Sequence, residues 1–176
     1  MKAPRLLLAL ALILGGAALR AQSSQDTVKA AYLPRFVRYV TWPAPASPPA
    51  GAPFQLCVVG RDRFGPLLDR AASSELIDVH NVTVRRMPSA DGVAGCHLAF
   101  VDGPTPQDTM RILLALRSQA VLTITDARAG PQRGMIHFTI VAGRVRFFID
   151  DAEAAGRGLS ISSRLLALAA GVRPRR

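Results

Sequence analysis

Apolar and polar residues along the chain fall into two patterns, which predict strands alternating with helices. Apolar runs or strict alternation predict strands at residues 54–60, 79–87, 96–101 and 120–125. Helical spacing of apolar residues predicts helices between them, at about 65–72 and 104–118. This alternation indicates an α/β fold, a mostly parallel sheet flanked by helices.

The last third of the chain predicts an antiparallel addition to this sheet. Residues 135–150 contain two β-like runs around Ala142-Gly143, which indicates an antiparallel C-terminal hairpin. A helix at about 161–170 is expected to close the domain, and the tail 171–176 is expected to fray. The helix at 104–118 is expected to bury Met110, Leu113, Leu114 and Leu116, and the closing helix Leu165, Leu166, Leu168 and Ala169.

Residues 28–43, V-K-A-A-Y-L-P-R-F-V-R-Y-V-T-W-P, predict a helix with an aromatic face. Four apolar side chains recur every four residues and should share one face: Val28, Tyr32, Phe36 and Val40. Lys29, Arg35 and Arg38 are expected to lie mostly away from that face.

The boundaries of this first helix follow from a cap and two prolines. Asp26 or Thr27 is expected to cap it, Pro34 to kink it and the Trp-Pro pair at 42–43 to end it. The next segment, 44–53, is rich in proline and alanine and is expected to be an extended, solvated spacer.

The first 21 residues predict a signal peptide. Lys2 and Arg5 precede an apolar run at 6–18, and cleavage is expected after Ala21. The alternative is a retained membrane anchor, but the run is short for a span. Removing 21 of the 176 residues leaves 155, which predicts an exported single domain over 22–176.

The positive charge does not point to a nucleic-acid partner. The chain has 22 Lys and Arg against 12 Asp and Glu, but the arginines are scattered and no basic stripe carries interleaved aromatics. No other segment reaches transmembrane length, so stable membrane insertion after cleavage is not expected.

Cys57 and Cys96 are the two cysteines of the chain. An even count in an exported protein predicts a disulfide. Closing a loop of about 40 residues is worth about 3–4 kcal/mol on the chain-entropy model. The alternative is a pair of buried free thiols packed as small apolar groups.

Catalytic and metal-binding patterns are not found. The loop 60–65, G-R-D-R-F-G, lacks a phosphate-binding glycine pattern and is interpreted as a tight turn. The three histidines lie on different predicted strands, and the acidic cluster at 150–153 is expected to cap a helix. No enzyme activity, cofactor or metal is therefore expected. A hydrolase would need a nucleophile–base pair that the sequence does not offer.

Several segments together resemble one family. They include the opening helix quoted above, G-C-H-L-A-F-V at 95–101, V-L-T-I-T-D at 121–126 and G-L-x-I-S-S-R-L-L-x-L-A at 158–169. In this order and spacing, from about Val28 to Ala169, the chain resembles the YfiR-like family of periplasmic proteins.

The resemblance implies a periplasmic α/β domain, often dimeric, that acts by binding. Such a protein would hold the periplasmic sensor part of an inner-membrane diguanylate cyclase inactive, and its release would raise cyclic di-GMP and favour biofilm. Cys57 and Cys96 match a cysteine pair of the family, which supports the disulfide. The chain has no cysteine at 126–140, where some relatives carry a second pair.

Four residues around the end of the first helix are the candidates for a partner or dimer contact: Arg35, Arg38, Tyr39 and Trp42. Arginine and aromatic residues are enriched at protein interfaces. A helix followed by a proline spacer is also expected to be weakly tied to its domain. The alternative is that the aromatic residues pack on their own sheet.

Ser162, Ser163 and Arg164 open the predicted closing helix and form a candidate ligand contact. A helix N-terminus with a cation suits a small anion. The alternative is a serine N-cap beside a solvated arginine. The ligand hypothesis carries a second function, a periplasmic small-ligand sensor working with a membrane histidine kinase or another sensor.

Overall fold

The structure is a computed structural model, and it describes residues 24–175. Within this range, helix α1 covers residues 24–35. The further helices are α2 (Pro66–Ser73), α3 (Pro106–Ala115), α4 (Asp151–Gly156) and α5 (Ser163–Leu168). The strands are β1 (Val40–Thr41), β2 (Phe54–Gly60), β3 (Leu76–Ile77), β4 (His80–Met87), β5 (Leu98–Asp102), β6 (Leu122–Asp126), β7 (Ile136–Val141), β8 (Arg144–Asp150), β9 (Ser160–Ile161) and β10 (Gly171–Arg173).

The main sheet of the described chain has the strand order β10-β8-β7-β6-β5-β2-β4-β3. Strands β4, β2, β5, β6 and β7 are parallel neighbours, and β7 and β8 form an antiparallel hairpin. The predicted fold class, a mostly parallel α/β sheet with a C-terminal hairpin, is confirmed. The predicted signal peptide lies outside the described residues.

The hairpin turns where the sequence indicated. Ala142 and Gly143 have φ angles of 49° and 74°, so both central residues of the turn lie in the left-handed region. This is the conformation of the type I′ turn, whose twist matches that of the two strands it joins.

Each face of the sheet is covered by its own core. We call the apolar layer between the sheet and helices α1, α2, α4 and α5 the larger core; it includes Phe36, Phe100 and Phe138. The layer between the sheet and α3 is the smaller core. It consists of Cys57, Val59, Val93, Cys96, Ala99, Val101, Ile112, Leu116 and Val121.

The predicted apolar face is confirmed at Phe36 and Val40, which are buried, but is wrong at the start of the helix. Val28 is 42% exposed, whereas Lys29 is fully buried beside Ala30 and Leu33. Four-residue steps advance 400° around a helix of 3.6 residues per turn, so a repeat of four drifts off any fixed face. The α-helix passes through Pro34 and gives way to a 3₁₀ turn at Phe36–Tyr39. It already includes Ser24, so Asp26 and Thr27 are not its caps.

The prediction for the buried side of α3 was wrong in part. Leu116 is buried as expected, but Met110 and Leu114 are exposed. Thr109 and Ile112 face inward instead. The hydroxyl of Thr109 accepts a hydrogen bond from Gly103 N and donates to Thr105 O, so burial leaves it satisfied. In α5, Leu165 is buried as predicted, whereas Leu168 is exposed.

The tail is a strand and not a frayed end. Strand β10 pairs in parallel with β8, with Gly171 opposite Phe148. A Cβ at Gly171 would come within 2.9 Å of the Phe148 ring, so any larger residue there would have to displace that half-buried ring. The spacer is also partly ordered, because Ala44–Ala46 form a 3₁₀ turn and Ala46 packs on the larger core.

Candidate functional site

Helix α1 is fixed to the sheet by a buried ion network. Lys29 Nζ donates a hydrogen bond to Asp126 Oδ2 at 2.6 Å, and these side chains are 0% and 1% exposed. Arg128 donates to the same carboxylate and to Asp26 on α1. The expectation that the first helix is weakly tied to the domain was therefore wrong.

The network stabilises the charged form of its central carboxylate. Burial on its own raises the pKa of Asp126, but hydrogen bonds from Arg128 and Lys29 outweigh burial and hold that pKa below its ordinary value. Burial lowers the pKa of Arg128, but its hydrogen bonds to Asp26 and Asp126 raise that pKa overall. All charges of the network are thus matched by hydrogen-bonded partners of opposite sign.

The end of α1 and the 3₁₀ turn that follows it carry two exposed arginines held by one carboxylate. Arg35 Nε donates to Glu75 Oε1 at 3.1 Å, and Arg38 Nε donates to Glu75 Oε2 at 2.7 Å. The arginine side chains are 60% and 46% exposed, whereas that of Glu75 is 8% exposed. Two cations on one acid leave this surface with a net positive charge.

Trp42 is buried and is not part of this exposed surface. It is 5% exposed, and its Nε1 donates to His97 O at 3.2 Å. Its ring contacts Phe54 with centroids 5.3 Å apart. Packing on its own sheet, the alternative for these aromatics, therefore describes Trp42, while Tyr39 is half-buried.

The predicted disulfide between Cys57 and Cys96 is present, with Cα atoms 5.9 Å apart. Cys57 lies in β2, and Cys96 lies just before β5. The disulfide therefore links two neighbouring strands within the smaller core. Cys96 and His97 also line a cleft of about 450 Å³ under the proline-rich spacer.

His97 connects the disulfide region to Trp42. Its Nδ1 accepts a hydrogen bond from Gln55 N at 2.9 Å, and its carbonyl receives the Trp42 indole. Burial lowers the pKa of His97, and the charge of nearby His80 lowers it further. His97 is therefore a neutral structural histidine.

The structure brings the two sets of predicted site residues next to each other. Strand β1 pairs with β9, with Val40 opposite Ile161, and Ser162 N donates to Tyr39 O at 2.8 Å. The Ser162 hydroxyl accepts a hydrogen bond from Leu165 N, which makes it the N-cap of α5, as the alternative interpretation held. Ser163 and Arg164 are exposed.

The carboxyl edge of the sheet is occupied by the chain itself. Open α/β sheets bind ligands where the strand order reverses, here between β2 and β5. A Cβ at Gly60 would lie 2.2 Å from Asp102 O, so the strands meet too closely there for any other residue. Arg61 and Arg63 both bind the fully buried carboxylate of Asp102.

Sequence reasoning missed Lys29, Glu75 and Asp126. Lys29 had one usable signal, because it is the single lysine after residue 2 and lies on the 3.6-residue apolar stripe of α1. Glu75 meets Arg35 and Arg38 at 40 and 37 residues' distance in the chain, and Asp126 meets Lys29 at 97, which no local pattern reports.

These features define a class of protein, a small α/β domain with a disulfide bond. Its N-terminal helix is fixed to the sheet by buried ion pairs, and the end of this helix carries a cationic surface. The chain belongs to the YfiR/HmsC-like family, whose family model matches residues 26–170. Membership of this family indicates a periplasmic regulatory protein. A comparison with curated proteins gives no match. Within residues 24–175, no helix has the length and apolar character needed to cross a bilayer.

Proposed function

We propose that this protein is a periplasmic regulator that binds the periplasmic part of an inner-membrane diguanylate cyclase and restrains it. Its loss from the complex would then raise cyclic di-GMP. Family membership supports the class of partner. The observation that carries the contact site is the exposed pair Arg35 and Arg38, at the junction of α1 and its 3₁₀ turn, held by Glu75.

The arginine pair has the properties of a binding surface. Glu75 engages Nε of Arg35 and both Nε and Nη2 of Arg38, and each guanidinium has five N–H donors, so most donors remain free for a partner. Because Glu75 and the helix hold both side chains in place, binding would cost less side-chain entropy than ordering free arginines. The matching partner surface would carry carboxylates.

Tyr39 and Trp42 extend this proposal in different roles. Tyr39 is half-buried at the end of the 3₁₀ turn and offers an aromatic edge beside the arginines. Trp42 is buried, so its contribution would be indirect. Its hydrogen bond to His97 O would fix the position of the chain that follows Tyr39. A homodimer formed through the same surface is a further outcome that the experiment below would detect.

The test is in-cell crosslinking of the tagged, exported protein, with mass spectrometry of the captured proteins. We expect capture of an inner-membrane protein that carries a diguanylate cyclase domain. Arg38→Gln should weaken capture at least tenfold, because hydrogen bonds to charged groups contribute about 1.5–3 kcal/mol. Arg35 continues to hold Glu75 in this variant, so the fold should be preserved.

Arg144→Gln is the matched control, since Arg144 is an exposed arginine at the hairpin turn. It should capture as much cyclase as the wild type. The proposal fails if no cyclase is recovered, or if both variants capture it equally well.

A further inference from the structure

A second cleft lies on the face of the sheet that α3 leaves open. It has a volume of about 360 Å³, within the usual range for small-molecule sites. Strands β7, β8 and β10 form its floor. His137, Phe148 and Gly171 lie side by side there, because Phe148 is opposite both of the others in the strand register.

The hydroxyl of Thr125 contacts one ring nitrogen of His137. Thr125 Oγ1 accepts a hydrogen bond from Gly134 N at 2.9 Å and lies 2.8 Å from His137 Nδ1. When the hydroxyl donates its proton to Nδ1, the one N–H of the neutral imidazole is on Nε2.

His137 is neutral, and it is almost fully buried. It is 5% exposed, and burial lowers its pKa. The charges of Arg133 and Lys29 lower that pKa further, whereas Asp126 raises it. Within residues 24–175, Nε2 has no hydrogen-bond partner although the side chain lines the cleft. With the proton on Nε2, the cleft has an unused donor on its floor.

Arg133 supplies an uncompensated positive charge at the wall of the cleft. Its guanidinium carbon lies 5.6 Å from the centre of the Phe148 ring, and no acidic side chain of the described chain is ion-paired with it. The second arginine of the cleft, Arg173, is paired with Asp150 at 2.9 Å. Asp150 is further engaged as the cap of α4. The unpaired positive charge of the cleft is therefore that of Arg133.

We propose that this cleft binds a small carboxylate, held between the Nε2–H of His137 and the guanidinium of Arg133. A carboxylate accepts both donors and neutralises the spare charge. The Phe148 ring would contact the apolar part of the ligand. Gly171 belongs to the site because any Cβ there would displace that ring. This inference does not depend on the cyclase partner.

The experiment is an NMR titration of the full mature protein with benzoate, at constant ionic strength. Benzamide, which has the same shape without the charge, and inorganic phosphate are titrated in parallel. We expect saturable shifts of the His137 ring nitrogens and of the Gly134 and Gly171 amides with millimolar benzoate only.

Arg133→Gln should weaken benzoate binding about tenfold or more, because it removes a charge-assisted hydrogen bond. Arg133 is exposed, so this variant should fold, and Arg144→Gln serves as the control that leaves binding unchanged. The proposal is overturned if benzoate gives no saturable shift at these positions, if benzamide or phosphate gives the same shift, or if Arg133→Gln binds like the wild type.

Discussion

The two faces of the sheet are stabilised in different ways. The larger core combines several helices with a cluster of aromatic rings, in which Phe36 lies 5.4 Å from Phe147 and 5.8 Å from Phe138. The smaller core has one helix and the disulfide. The face covered by the smaller core is therefore the one that contains the Cys57–Cys96 disulfide and the cleft at His137.

This difference separates two tasks within one domain. The larger core fixes α1 and the 3₁₀ turn that follows it, so Arg35 and Arg38 occupy defined positions. The smaller core leaves β7, β8 and β10 uncovered beyond α3, which gives room for the cleft at His137. The disulfide offsets the smaller buried area, since a cross-link stabilises chiefly by restricting the unfolded chain.

The largest effect is expected at the buried ion network that ties the larger core together. Asp126→Asn should cost about 3–5 kcal/mol of unfolding free energy at neutral pH, because Lys29 would remain buried without its counter-charge. Urea unfolding measures this loss. Asp91→Asn, at an exposed acid, is the control and should stay within about 0.5 kcal/mol of the wild type.

The same variant has a defined pH dependence. The folded pKa of Asp126 is below its ordinary value, so its stabilising contribution is present above about pH 4 and is lost as the pH falls through the folded pKa. The stability difference between wild type and Asp126→Asn should therefore shrink below about pH 4. A difference that stayed constant to pH 2 would show that the carboxylate is not stabilised by folding.

The aromatic cluster is expected to give a loss of similar size. Phe36→Ala should cost about 3–5 kcal/mol, because Phe36 is 1% exposed and its truncation leaves a cavity among three rings. Val28→Ala, in α1 before the 3₁₀ turn that contains Phe36, should change stability little, since Val28 is 42% exposed. Thermal unfolding of both variants measures the contrast; equal losses would contradict the assignment of the buried face.

Loss of the disulfide should destabilise the face covered by the smaller core before the other face. We expect a loss of about 3–4 kcal/mol in the Cys57→Ala, Cys96→Ala double variant, from loop-closure entropy. Hydrogen exchange should rise at the amides of β5 and α3 before it rises in α1. Faster exchange in α1 than in α3 would reverse the comparison between the faces.

The smallest effect is expected at Trp42. Trp42→Phe keeps most of the ring packing but removes the Nε1 bond to His97 O, which should cost about 0.5–1.5 kcal/mol. Urea unfolding followed by circular dichroism measures this loss, because the variant no longer contains a tryptophan. A change above about 3 kcal/mol would mean that Trp42 supports more than the segment after Tyr39.

The elements predicted correctly are those whose sequence signal is local or compositional, although the strands themselves pair with partners far along the chain. Apolar runs marked β2, β5 and β6, and Ala142-Gly143 marked the hairpin turn. The cysteine count and the export signal led to the disulfide. Each of these signals depends on residues close together in the chain or on composition.

The elements that were missed depend on contacts that hydrophobic periodicity does not report. Lys29 is buried because Asp126, 97 residues away, receives its charge. Thr109 is buried because Gly103 and Thr105, which are close in the chain, satisfy its hydroxyl. Strand β10 is ordered because Gly171 fits against Phe148. The candidate contact was predicted at Arg35 and Arg38, but Glu75, which positions them, has no local signal.

The most direct test of the account is the cyclic di-GMP concentration in cells that lack this protein and are complemented with variants. Wild type and Arg144→Gln should lower cyclic di-GMP to the same level, whereas Arg38→Gln, exported in equal amount, should leave it high. If Arg38→Gln lowers cyclic di-GMP as well as the wild type does, or if deletion of the protein leaves the concentration unchanged, the proposed restraint of a cyclase through this surface is wrong.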